Sequence, residues 1–130
     1  MKKNFVFAAL VVAVLTLVGC GAPKTLEQIY SQPQVKQQME QEMASLQAQM
    51  SDLYSNITFE ATGNDITFNY YIVPGITAKD VNVNLISSSL DAQKDVYLNE
   101  YKTQAGVEDV TITFNYILSD GSTLLSKTIK

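Results

Sequence analysis

Reactive side chains are scarce in this sequence. Its one thiol is Cys20. It has no histidine, which removes the usual general base near neutral pH, the usual imidazole metal ligand and every Ser-His pairing. Carboxylates remain, and two of them flanking a cleft could hydrolyse a glycosidic bond. The candidates on or near strands are Glu60, Glu108 and Asp109. Glu108-Asp109 stands between Gly106 and a strand, where a solvated turn accounts for it better. No Gly-rich phosphate loop and no Asp-x-Asp-x-Asp-Gly calcium loop occurs. The sequence designates no catalytic residue, no metal ligand and no cofactor site. A protein that is not an enzyme is expected.

Cys20 closes a leader of a particular kind. Lys2 and Lys3 precede Phe5 to Val18, an uncharged and almost wholly apolar run. That run is too short to cross a bilayer, which takes about 20 residues. A basic start, a short apolar middle and small residues at the end mark a secretory signal peptide. Leu17-Val18-Gly19-Cys20 resembles the lipobox of bacterial lipoproteins. The resemblance implies that the signal peptidase recognises Leu17, Val18 and Gly19 and cuts before Cys20. It further implies a diacylglyceryl group on the Cys20 sulfur and a place on the extracytoplasmic side of the cell membrane. The membrane is then a partner through that lipid. A plain secretory signal followed by an unrelated cysteine is the alternative. Lipid chains anchor at about 0.8 kcal/mol per buried methylene, so two chains hold firmly where one binds reversibly.

On this reading residues 1–19 are the signal peptide, 20–24 the lipidated cysteine and a tether, and 25–130 one folded domain. The tether reaches at most about 3.5 Å per residue, which keeps the domain close to the membrane surface. A mature chain of 111 residues (130 less 19) is enough for one domain with a real core. With Cys20 lipidated there is no disulfide to assist it. The whole chain carries −4, and loss of Lys2 and Lys3 takes it to −6. No arginine is present. Such a chain is poorly suited to nucleic acid, because neither phosphate neutralisation nor bidentate phosphate binding is provided for.

The elements that would position any site can be read in order. Thr25-Leu26-Glu27-Gln28 is a capping-box start for a short helical turn, and Ser31-Gln32-Pro33-Gln34 opens a main helix to about Tyr54. Val35, Met39, Met43, Leu46, Met50 and Leu53 form one apolar stripe on it, read as core. Ile57 to Ala61 and Ile66 to Val73 form a hairpin about Thr62-Gly63-Asn64-Asp65. Asn56-Ile57-Thr58 matches a glycosylation pattern, taken as chance. Thr77-Ala78-Lys79-Asp80 caps a second helix running to about Ala105, with Gly106 ending it. Its main face holds Val83, Ile86, Leu90, Tyr97, Leu98 and Tyr101. Val81, Leu85, Ala92 and Val96 make a weaker opposite face, which suggests contact with the first helix or with a partner. Val107 to Leu118 and Ser122 to Ile129 form a closing hairpin. The expected fold is α+β, in the order helix-hairpin-helix-hairpin, with a four-stranded, mainly antiparallel sheet and helices on one face.

The pentapeptide Ile-Thr-Phe-Asn-Tyr occurs twice, at Ile66–Tyr70 and at Ile112–Tyr116. Strand alternation sends the isoleucine, phenylalanine and tyrosine to one face and the threonine and asparagine to the other. The copies fall in the second strand of one hairpin and the first strand of the other, so they do not mark a simple duplicated unit. The polar face collects Thr58, Glu60, Thr67, Asn69, Tyr71, Thr111, Thr113 and Asn115. It is the candidate binding face, for a polysaccharide or another protein, although a solvated sheet face is common in antiparallel sheets.

Thr25-Leu26-Glu27-Gln28-Ile29-Tyr30, Pro33 with its long helix, Gly106-Val107, the strand Val110 to Tyr116, Asp120-Gly121 and Ser126-Lys127 together resemble a family of small lipoproteins from Gram-positive bacteria. Their domain is one of unknown function. The second helix departs from the family in being less rich in lysine and glutamate. The resemblance implies an exported, membrane-anchored protein and transfers no functional residue. The leading expectation is a non-catalytic module that binds a protein partner at the membrane or cell wall. A glycan- or solute-binding module and an inhibitor of a secreted hydrolase are the alternatives.

Overall fold

The computed structural model describes residues 25–130, so the leader with Leu17, Val18, Gly19 and Cys20 lies outside the described residues. Helix α1 spans Leu26–Ser31. Its capping box is formed as the sequence predicts: the Gln28 N–H donates to Thr25 Oγ1 and the Thr25 N–H to Gln28 Oε1, both at 3.2 Å. Gln32 is extended, at φ −64° and ψ 132°, because the proline that follows disfavours helical backbone there. Pro33 then opens α2, Pro33–Gln49, whose Val35, Met39 and Met43 are buried.

Helix α2 stops short of the expected Tyr54. Tyr54 is instead the first residue of strand β1, Tyr54–Thr62, fully buried and paired with Ile72. The long-range pairing outweighs continuation of the helix, a contest that local pattern does not decide. Strand β2, Asp65–Ile72, follows a two-residue turn at Gly63-Asn64, where Gly63 has φ +59°. Helix α1 clasps this turn. The Leu26 N–H donates to Asn64 Oδ1 at 3.0 Å, the Glu27 N–H to the Gly63 carbonyl at 2.8 Å, and the Gly63 N–H to Glu27 Oε1 at 2.7 Å.

The capping box at Thr77 and Asp80 is real but closes only a 3-10 turn, Ala78–Asp80. Helix α3, Val83–Glu100, has its own cap: the Leu85 N–H donates to Asn82 Oδ1 at 3.0 Å. A π-helical turn, Tyr101–Ala105, continues it, and Gly106 ends it at φ +70°, a left-handed conformation that favours glycine. Strand β3 is Thr111–Ile117, shorter than expected at its start, and β4 is Thr123–Ile129. At their turn Asp120 Oδ1 accepts from the Ser122 hydroxyl at 2.6 Å and from the Ser122 N–H at 2.8 Å. These bonds hold its carboxyl below the ordinary range.

The strand order is β1-β2-β3-β4. Both hairpins are antiparallel, and the two hairpins meet through a parallel β2–β3 pair with α3 as the crossover. The fold is thus α+β with a mixed four-stranded sheet. Alternate residues Ile66, Phe68, Tyr70 and Ile72 of β2, and Ile112, Phe114 and Tyr116 of β3, are buried in the core with the helices. Aromatic rows cross the strands: Phe59, Phe68 and Phe114 at 5.3 and 5.6 Å between neighbouring rings, and Tyr70 on Tyr116 at 4.9 Å. Full burial of a ring such as Phe68 or Phe114 contributes roughly 1.5–3 kcal/mol. Helix α1 packs on the first hairpin, α2 along β1 and α3 along β4. On α3, Ile86, Leu90 and Tyr97 are buried, whereas Leu85 and Val96 are half exposed. Of the weaker apolar face, Leu85, Ala92 and Val96 therefore meet solvent in this chain and not the first helix, whereas Val81, which precedes α3, is buried in the core.

Candidate functional site

The repeat becomes a single structure in the sheet. Ile66 pairs with Ile112, Thr67 with Thr113, Phe68 with Phe114, Asn69 with Asn115 and Tyr70 with Tyr116, in parallel register. Identical residues therefore stand side by side. On the helix-covered face this stacks ring on ring. On the other face it brings like polar groups within bonding reach, and a hydrogen-bonded row crosses all four strands. The Ser126 hydroxyl donates to Asn115 Oδ1 at 2.7 Å, Asn115 Nδ2 to Asn69 Oδ1 at 3.0 Å, and Asn69 Nδ2 to Thr58 Oγ1 at 3.1 Å. One row along, the Thr113 and Thr128 hydroxyls lie 3.1 Å apart.

All the residues expected on the polar face are brought together there. Thr58, Thr67, Asn69, Tyr71, Thr111, Thr113 and Asn115 are half-buried, and Glu60 is exposed. Tyr71 stands beside Ile117. Ser126 and Thr128 were not in the sequence-derived set. The closing hairpin is legible in the sequence, but the alternation of β4 is blurred by Leu124 on the polar face and Lys127 on the other.

The three carboxylates do not form a pair. Glu60 sits on edge strand β1, and Glu108 and Asp109 precede β3, with β2 between. Glu108 makes a solvent-exposed ion pair with Lys102 at 3.6 Å. Among the described residues no group of three or more metal-ligating side chains could hold an ion, and no helix is long and apolar enough to cross a membrane.

The sequence does not announce the concavity on the other side of β1. A groove of about 600 Å³ runs between α2 and β1, closed at one end by α1. Its floor is apolar, from Tyr30, Met39, Met43, Ile57 and Phe59, and Glu27, Lys36, Glu40 and Gln47 stand on its walls. Thr62 and Asp65 flank the two-residue turn and so form a hydrogen-bonded pair. By alternation Glu60–Thr67 and Thr58–Asn69 do the same. Ile57, Phe59 and Ala61 then turn their backbone N–H and C=O groups away from β2, towards the groove. In keeping with this, the Ile57 N–H donates to Asn56 Oδ1 at 2.9 Å, and the Ser55 carbonyl accepts from Gln47 of α2 at 2.5 Å. The groove thus has an edge strand on one side and a helix on the other.

Behind its floor Tyr30 and Tyr101 share a buried hydroxyl–hydroxyl hydrogen bond of 3.1 Å, which ties α1 to the end of α3. Burial holds the Tyr30 phenol far above its ordinary range. The bond to Tyr101 pulls it partly back, and the nearby Glu42 charge pushes it up again. Both phenols keep their protons at any physiological pH, and the bond between them positions the groove.

The family model described as Domain of unknown function (DUF4854) matches residues 26–129. The chain belongs to that family. No curated protein and no solved structure matches it. The matched DUF4854 span opens at the first residue of α1 and closes at the last of β4, so it takes in the clasped turn, the groove and the polar row together. The resemblance drawn from the sequence agrees to this extent: the domain is one with no assigned activity.

Proposed function

We propose that this protein is a lipid-anchored, extracytoplasmic and non-catalytic module that binds another protein. The observation that supports it best is the α2–β1 groove, an apolar floor beside an edge strand with polar walls. Binding sites are typically concave, mostly apolar and furnished with a few polar groups. The lipobox-like Leu17-Val18-Gly19-Cys20 supports the anchor, and the short tether would hold the groove near the membrane surface.

The test is photo-crosslinking in living cells of the full chain, with the photoreactive residue at Ala44 in the groove wall or at Thr113 on the open face. Discrete protein adducts are expected from position 44 and from Ala48, one turn along α2, the second being lost when Ala44→Trp fills the groove. Adducts at position 113 only would overturn the assignment. Metabolic labelling with an alkyne fatty acid checks the anchor, and label surviving Cys20→Ala would remove Cys20 from that role.

A second reading is favoured by the hydrogen-bonded row. Each of its asparagine amides uses one of its two N–H donors within the row. The remaining donors, the threonine hydroxyls and Tyr71 suit a neutral glycan. Oligosaccharide titration followed by NMR separates it, with shifts confined to Thr67, Asn69, Tyr71, Thr113 and Asn115 as its signature.

A further inference from the structure

We infer that the groove takes its partner as a fifth strand: a flexible, extended segment that alternates apolar with basic side chains. This rests on the protein-binding reading above and specifies the occupant.

The backbone comes first. Phe59 and Ala61 present outward-facing peptide groups along the groove, Ile57 adds its carbonyl while its N–H donates to Asn56 Oδ1, and such an edge is completed by an added strand. Helix α2 lies along β1 and forms the opposite wall. A strand that brought its own covering layer would collide with α2. Strand β4 of a second copy carries α3 on it, so a second copy is a poor occupant. A single segment without attached helices fits.

The side chains follow from period-two alternation. On the helix side an added strand meets Met39, Met43 and Phe59. Methionine is unbranched and adaptable, so apolar residues of several shapes are accommodated. On the open side its neighbours are Thr58 and Glu60. Glu60 is exposed, lies mid-strand on the edge and takes no part in the two ion pairs found among the described residues. Directly opposite residues on paired strands lie about 4.5–5.5 Å apart, so a lysine there would meet Glu60. Glu27 and Glu40 on the walls outnumber Lys36, and the chain as a whole is acidic. The groove therefore selects a basic segment over an acidic one.

The experiment titrates the full chain, in non-ionic detergent, with fluorescent capped hexapeptides. The probes are Lys-Val-Lys-Val-Thr-Val, the same peptide with both lysines replaced by glutamate, and a version with proline at its centre. Binding of the basic peptide is expected, about five- to tenfold weaker for the glutamate peptide at low ionic strength, with the gap narrowing in salt. The proline version should not bind. Ala61→Pro removes an outward N–H without touching the β1–β2 ladder, and should abolish binding while NMR dispersion is kept. Glu60→Gln should shrink the lysine-over-glutamate preference. Equal affinity for the charged peptides overturns the charge assignment. Undiminished binding to Ala61→Pro overturns strand addition. Failure of every peptide, with the crosslink from Ala48 still formed and blocked by Ala44→Trp, sinks this inference and leaves the protein-binding reading standing.

Discussion

Asn115 donates its side-chain amide to Asn69 Oδ1 at 3.0 Å, across the one parallel strand pair of the sheet. The two residues are 46 positions apart and occupy the same place in two copies of one pentapeptide. In-register parallel pairing of identical sequences produces side-chain ladders of this kind, amide on amide and ring on ring. The pair joins the hairpins on the face the helices leave open.

Removing Asn115 breaks its bond to Asn69 and leaves Ser126 without its acceptor. We expect Asn115→Ala to destabilise the fold by about 1–2 kcal/mol in urea unfolding, part of the loss being offset by water at a half-exposed site. Asn69→Ala should cost a similar amount. The double variant should cost less than the two together by about 0.5 kcal/mol or more, because the residues share one network. Simple additivity would show that the ladder is decorative.

Phe114 lies between Phe68 on one side and Tyr97 of α3 on the other, with rings at 5.6 and 6.1 Å. Phe114→Ala should cost about 3–5 kcal/mol, the range for deleting a buried aromatic ring. Phe114→Leu should recover much of it. A loss below about 1 kcal/mol would mean that the stack does not form the centre of the core.

Six tyrosines, at 30, 54, 70, 97, 101 and 116, have phenols raised above the ordinary range, burial being the first cause in each and Tyr97 the least enclosed. A folded-state pKa raised above the unfolded one gives stability that is present below the unfolded value, about 10, and declines as pH rises above it. Each ionising phenol contributes about 1.4 kcal/mol per pH unit, so the five other than Tyr97 together contribute about 7. Against a stability of about 5–15 kcal/mol, unfolding should be complete within one to two units above pH 10. Tyrosinate absorbance and loss of circular dichroism should rise together. Most of these phenols titrating before the structure melts would contradict their burial.

Leu85 and Val96 are 50% and 54% exposed, so neither is part of the core. Leu85→Ser and Val96→Ser should change stability by less than about 0.5 kcal/mol, apart from a small helix-propensity effect. A larger loss in dilute solution, shrinking on further dilution, would show that this face of α3 is buried in an oligomer.

Gly106 ends the π-helical turn at φ +70°, and a Cβ there would meet nothing within 4 Å. The cost of Gly106→Ala is therefore conformational and not steric, about 1 kcal/mol. Gly106→Asn should cost less, since asparagine tolerates the left-handed region. Thermal melts of the two variants would rank them.

The sequence by itself determined what depends on neighbours along the chain. The period-two alternation of Ile66–Tyr70 and Ile112–Tyr116 assigned each residue to a face, because alternation is a property of one strand. The capping box at Thr25 and Gln28, the proline start of α2 and the glycine stop at Gly106 were legible for the same reason. The tertiary structure decided what depends on distant partners. Tyr54 belongs to a strand because Ile72 pairs with it, and the Thr77 box caps only a turn because the chain bends again before Asn82. The repeat becomes a ladder only because the two hairpins meet in parallel, and composition does not state strand order. The groove depends on where α2 comes to rest against the edge of β1. That placement is set by the packing of Met39 and Met43 over the sheet, a balance of burial and shape that no single segment of the sequence contains.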